Sequence, residues 1–168
     1  MTDADRHVDV FELARSGGRI AGSVSPRALQ RLAAVVTRIE GPLEYGLEGF
    51  VDGLGRPAAR LHVRGRLIMP CDRCNGPLDS PLETRASFFF VTDEAELNAV
   101  PIDESEVDAL VGSARFDVWN LVEDEAILAL PLSPRHDACR PEVAEEPPTE
   151  AARPSPFAVL EQLKARKH

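Results

Sequence analysis

The chain has 168 residues, 43% of them apolar, and a formal net charge of -9. That is enough length and apolar content for one domain with a buried core, and the acidity excludes a simple electrostatic glove for nucleic acid. No apolar run approaches the roughly 18 residues of a membrane span, and three cysteines are too few for a secreted disulfide framework, so a cytoplasmic protein with reduced or metal-bound thiols is expected.

SPRALQRLAAVV predicts a short helix over about 26 to 34, with Ser25 as cap, Pro26 in its first turn and Leu29, Leu32 and Ala33 at helical spacing. The following stretch is β-branched and broken by EGP and DGLGRP. It predicts strands near 35 to 39, 44 to 51 and 59 to 69, the last two forming a hairpin, and PLETRASFFFVT adds another strand over about 81 to 92. Residues 93 to 115 are acidic with few large apolar side chains and read as a surface excursion. FDVWNLVEDEAILALP is the clearest helix: Asp117 caps it, Val118, Leu121, Val122, Ile127 and Leu128 form its apolar positions, and Pro131 stops it. Its Glu123, Asp124 and Glu125 read as a solvated face.

Residues 141 to 155 are rich in Pro, Glu and Ala and predict a disordered linker. Beyond it, 156 to 168 restart a helical pattern with Phe157, Leu160 and Leu163 on one face. A segment that short needs its own domain or a partner to dock on. The expected architecture is α+β: residues 1 to 140 form one domain, an antiparallel sheet or partial barrel with a short N-terminal helix and one longer helix packed on it. The linker and the C-terminal amphipathic segment follow.

Cys71 and Cys74 form a C-x-x-C pair in PCDRCNGP, and His136 and Cys139 an H-x-x-C pair in SPRHDAC. A two-residue gap lets two side chains of one turn reach the same ion, so the four are a candidate Cys3His structural zinc site that would pin the long helix to the sheet. Two other readings stay open, three reduced thiols acting as small hydrophobes and a redox pair. The redox pair lacks the helix start that usually lowers a thiol pKa. RLHVRGRL, read as a strand, places Arg60, His62, Arg64 and Arg66 on one face and Leu61, Val63 and Leu67 on the other. That is a candidate phosphate-contacting face, which Arg73 and, on the first helix, Arg27 and Arg31 could extend. The competing reading is a solvated outer face with acidic neighbours. No histidine stands in a nucleophile pattern and there is no phosphate-binding glycine loop, so no enzyme is expected.

PCDRCNGPL, LVEDEAILALPLSPRHDAC and RPSPFAVLEQLK resemble, in order and spacing, the signature segments of the YceD-type large ribosomal RNA subunit accumulation proteins of bacteria and plant plastids. The resemblance runs from about residue 20 to the end. It implies a non-enzymatic ribosome biogenesis factor supporting accumulation or processing of 23S-type ribosomal RNA, with pre-ribosomal RNA or a large-subunit precursor particle as partner and no membrane. Bacterial relatives are encoded beside a large-subunit ribosomal protein, which implies a candidate protein partner. The alternative is an acidic chaperone or adaptor for such a basic protein, docking through Phe157, Leu160 and Leu163. The family's cysteine, histidine and cysteine positions correspond to Cys71, Cys74, His136 and Cys139.

Overall fold

The computed structural model of the chain describes residues 6–101 and 107–139. In chain order these form β1 (His7–Val8), α1 (Val10–Ser16), β2 (Arg19–Val24), a 3-10 turn (Pro26–Ala28), α2 (Gln30–Val35), β3 (Arg38–Ile39), β4 (Leu43–Val51), β5 (Pro57–Pro70), β6 (Pro77–Val91), α3 (Glu94–Ala99), β7 (Asp108–Val111), β8 (Phe116–Asp117) and α4 (Val118–Leu128). The main sheet runs β2-β4-β5-β6-β7, β3 pairs with β5 where β4 has left it, and β1 pairs with β8 in a separate ribbon. Among the described residues this sheet ends at β2 and β7, so the fold is the expected α+β class with an open sheet in place of a barrel.

The alternation of β5 dictates its two faces. Leu61, Val63, Leu67 and Met69 are buried while Arg60, Arg64 and Arg66 are exposed. On the inner face these residues meet Leu43, Tyr45 and Leu47 of β4 and Leu82, Phe88 and Phe90 of β6, and helices α1, α2 and α4 cover them. Helix α1 begins where Asp9 accepts the backbone N–H groups of Phe11 and Glu12, and ends at Gly17 with φ 63. It crosses β4 at Gly49, where any Cβ would overlap the backbone of Leu13 and Ala14. Only glycine lets helix and strand approach so closely.

Two expectations need correction. The helix expected over 26 to 34 is a 3-10 turn and a separate α2, broken at Leu29 (φ -101, ψ 63). The bend lets Leu29 and Leu32 both enter the core, each fully buried. The excursion over 93 to 115 contains α3, capped by Asp93, and a strand, β7, which pairs in parallel with Phe88–Val91 of β6. There Phe50, Ala58, Phe89, Val91, Leu97 and Val100 build a second small core on the sheet's other side. Helix α1 was not anticipated. The linker and Phe157, Leu160 and Leu163 lie outside the described residues.

Candidate metal centre and basic sheet face

The β5–β6 hairpin turns at Pro70–Pro77, and its turn is built around the first cysteine pair. Cys71 N–H donates to the Gly76 carbonyl (2.9 Å), and Asn75 N–H donates back to the Cys71 carbonyl (2.8 Å). Asn75 takes φ 56, a left-handed conformation that asparagine tolerates better than most residues. The segment after α4 reaches this turn through two contacts: Asp72 N–H donates to the Pro134 carbonyl (2.8 Å), and Ser133 Oγ donates to Asp72 Oδ2 (2.7 Å). Residues about sixty positions apart in sequence thereby share one site.

The result is a quartet. The ligand atoms of Cys71, Cys74, His136 and Cys139 all lie within 4.8 Å of one another. Cys71 Sγ is 3.8 Å from Cys139 Sγ, and Cys74 Sγ is 3.5 Å from His136 Nδ1. A tetrahedral ion with sulfur ligands at about 2.3 Å and nitrogen at about 2.0 Å requires sulfur–sulfur edges of about 3.8 Å and sulfur–nitrogen edges of about 3.5 Å. These two edges meet that requirement, and all four ligand atoms lie within 4.8 Å of one another, so the group can hold a metal ion.

The surroundings favour the thiolate form at Cys71 but not at Cys139. His136 Nε2 lies 3.0 Å from the Pro77 carbonyl, which can only accept, so this contact selects the ring form with a proton on Nε2, and Nδ1 faces Cys74 Sγ. Burial pushes the Cys71 thiol pKa up, but the backbone N–H groups of Cys74, His136 and Arg73 outweigh it and bring the thiol down to about 5. Cys139 moves the other way, through burial and then the neighbouring Cys71 and Cys74. Two thiols of opposite tendency share the site.

The expected basic face exists as a face, but most of its cations have carboxylate partners. Arg64 reaches Glu44 (3.2 Å), Arg66 reaches Asp79 (3.4 Å), Arg19 reaches Glu48 (2.8 Å) and His62 lies 3.4 Å from Glu83. Arg60 has no carboxylate partner among the described residues and stands over the Phe50 ring at 5.2 Å. Arg73 is exposed at the hairpin turn, with its backbone N–H on Cys71 Sγ (3.4 Å). Ala21, Gly22, Gly46, His62 and Arg64 are among the residues lining an open hollow of about 560 Å³.

Arg31 does not extend this face. It belongs to a different cluster, donating from Nε to Glu123 Oε2 (3.0 Å) and from Nη2 to Asn120 Oδ1 (2.8 Å), with Nη1 on Asp124. The solvated face expected of α4 is likewise overturned, because Glu123 is 6% and Glu125 9% exposed. The signal was present in the spacing. Val118, Leu121, Val122 and Ala126 define the buried stripe, and Glu125 falls on it seven residues after Val118. Leu128, expected in the core, is instead 77% exposed.

Burial raises the Glu125 pKa, and the Asp108 and Asp124 carboxylates add to the effect. The folded state therefore keeps this proton to higher pH than the unfolded chain, so stability falls as pH rises from the ordinary carboxylate value through the folded one. Glu125→Gln is expected to raise the melting temperature at pH 7 and leave it unchanged at or below pH 4. Equal effects at both pH values in thermal melts would contradict this.

Comparison with known proteins follows the same segments. The family described as "Large ribosomal RNA subunit accumulation protein YceD" matches residues 59–164, which span the hairpin, α4 and the quartet. A relative of that same description from Haemophilus influenzae is 29% identical over 152 residues, covering 86% of this chain and 87% of its own length. No solved structure matches the chain significantly. No helix among the described residues is long and apolar enough to cross a membrane.

Proposed function

Because the chain belongs to the YceD family of large ribosomal RNA subunit accumulation proteins, we propose that it is a non-enzymatic ribosome biogenesis factor that holds 23S-type precursor RNA, or a precursor particle containing it, in the cytoplasm. The family match is the observation that carries this reading. Arg60 and Arg73 supply cations without carboxylate partners among the described residues, and the Arg64–Glu44 and Arg66–Asp79 pairs are exposed on both sides. Exposed pairs of this kind contribute about 1 kcal/mol or less, so a phosphate can replace the carboxylate at small cost. Structural zinc at Cys71, Cys74, His136 and Cys139 would fix the hairpin turn against the segment after α4. Three sulfurs and one imidazole are a donor set suited to that ion.

Charge reversal at Arg60 and Arg64 together is expected to weaken binding to large-subunit RNA and to reduce the slope of log affinity against log salt by about 2. Unchanged affinity and slope in a folded variant would remove this face from consideration. A second reading, a chaperone or adaptor for a basic large-subunit ribosomal protein, draws on residues 71 to 116, where ten Asp/Glu face three Arg, with Phe157, Leu160 and Leu163 as its docking residues. Burial of Glu123 and Glu125 leaves Asp124, paired with Arg31, as the one carboxylate of that α4 trio that could add to this acidic surface. Retention of a ribosomal protein in pulldowns after nuclease treatment would favour the chaperone. Loss of every partner would favour the RNA reading.

A further inference from the structure

The cysteine quartet has a second chemistry in its geometry. Cys71 and Cys139 stand 68 positions apart in the chain with their sulfurs 3.8 Å from each other. A disulfide needs about 2.05 Å, so closure requires roughly 1.8 Å of approach. The two partners differ in freedom. Cys71 directly follows β5 and is 1% exposed, whereas Cys139 is half-buried in a segment, 129 to 139, that contains no helix or strand. That segment can supply the movement without breaking a ladder. Cys74 is less suited to bond Cys71. It lies inside the turn closed by the Cys71–Gly76 and Asn75–Cys71 hydrogen bonds and faces His136 Nδ1, so bonding it to Cys71 would mean rebuilding that turn.

We propose that Cys71 and Cys139 are a reversible oxidation site for a hydroperoxide, and that forming their disulfide expels the metal; this second part rests on the metal reading above. Cys139, the more exposed of the two, gives its proton to solvent and attacks a peroxide oxygen; the O–O bond breaks, and hydroxide leaves to become water, giving a sulfenic acid. The Cys71 thiolate then attacks the Cys139 sulfur, the S–O bond breaks, and a second hydroxide leaves and is protonated by solvent. Two thiolates, one hydrogen peroxide and two protons give one disulfide and two waters. Only Cys74 and His136 remain as donors, too few to retain a tetrahedral ion. A dithiol reductant reverses the step and restores the site.

The test treats the full-length protein, as purified and carrying its metal, with hydrogen peroxide in modest excess. The expected result is that free thiols fall from three to one, metal appears on a chromogenic chelator in step with that fall, and alkylation with peptide mapping finds Cys71 joined to Cys139. Dithiothreitol with added zinc should return three thiols and one bound ion. A Cys71–Cys74 link as the main product, sulfinic acids in place of a disulfide, or three intact thiols would each overturn the proposal. If the purified protein carries no metal, the mapping still decides the pairing. A Cys71–Cys139 link would then support the oxidation site while discarding the metal reading, and its absence would discard both.

Discussion

Replacing Cys71 with serine, or stripping the native protein with a strong chelator, is expected to remove one bound ion per chain and lower the melting temperature by about 10 °C. The size of the effect follows from what the quartet joins. Cys71 and Cys74 belong to the turn of the longest hairpin, His136 and Cys139 to a segment that leaves α4, and apart from the quartet the two are joined by a few hydrogen bonds, Asp72–Pro134, Ser133–Asp72 and His136–Pro77. An ion bound only by the folded state stabilises it by mass action. The rest of the domain has its own apolar core under α1, α2 and α4, so the expectation is a lowered transition and not the wholesale unfolding seen in small metal-dependent modules. Metal analysis and thermal melts on the same sample decide it. An ion-free wild-type protein with the same melting temperature after chelation would end the structural-zinc reading.

Glu123→Ala is expected to cost about 2–4 kcal/mol in urea unfolding, the largest effect of any single carboxylate removal in the domain. Helix α2 begins at Gln30 with Leu29 as its cap residue, and a leucine side chain cannot accept a hydrogen bond. Leu29 is there because the core needs it. The capping oxygen comes from another helix: Glu123 Oε1 accepts the N–H groups of Arg31 (2.7 Å) and Leu32 (3.0 Å), the second and third residues of α2, while Oε2 takes Arg31 Nε (3.0 Å). Loss of a cap costs about 1 kcal/mol, and loss of a buried charge-assisted acceptor about 1.5–3 kcal/mol, which sets the range. Glu123→Gln keeps one acceptor oxygen and should lose roughly half as much. A Glu123→Ala variant within about 0.5 kcal/mol of wild type would show that water replaces the carboxylate without penalty.

The parts of this fold legible in the sequence were those written in local code. The alternation of RLHVRGRL fixed the two faces of β5, Asp117 and Pro131 bracketed α4, and the paired spacings of Cys71, Cys74, His136 and Cys139 anticipated a quartet that the structure brings together. What escaped was set by tertiary partners. Glu123 and Arg31 look like ordinary surface charges until the two helices that carry them are adjacent. Strand β7 is short and acidic at its start, and becomes a strand because β6 offers it a parallel edge. The basic face was read correctly as a face, yet the carboxylates that pair Arg64 and Arg66 come from β4 and β6, which no reading of β5 alone could supply.

The ribbon formed by β1 and β8 bears on how the chain is made. His7 pairs with Asp117 and Val8 with Phe116, Arg6 holds Asp117 through its guanidinium, and Val10 N–H donates to the Ser113 carbonyl. Synthesis runs from the N-terminus, so Arg6, His7 and Val8 wait for partners more than a hundred residues downstream. Until α4 leaves the exit tunnel, the inner face of the sheet lacks one of its three covering helices, and His136 and Cys139, which follow α4, have not reached Cys71 and Cys74. The domain can close only after α4 has been made, and a nascent chain halted before residue 118 would offer its apolar sheet face to chaperones.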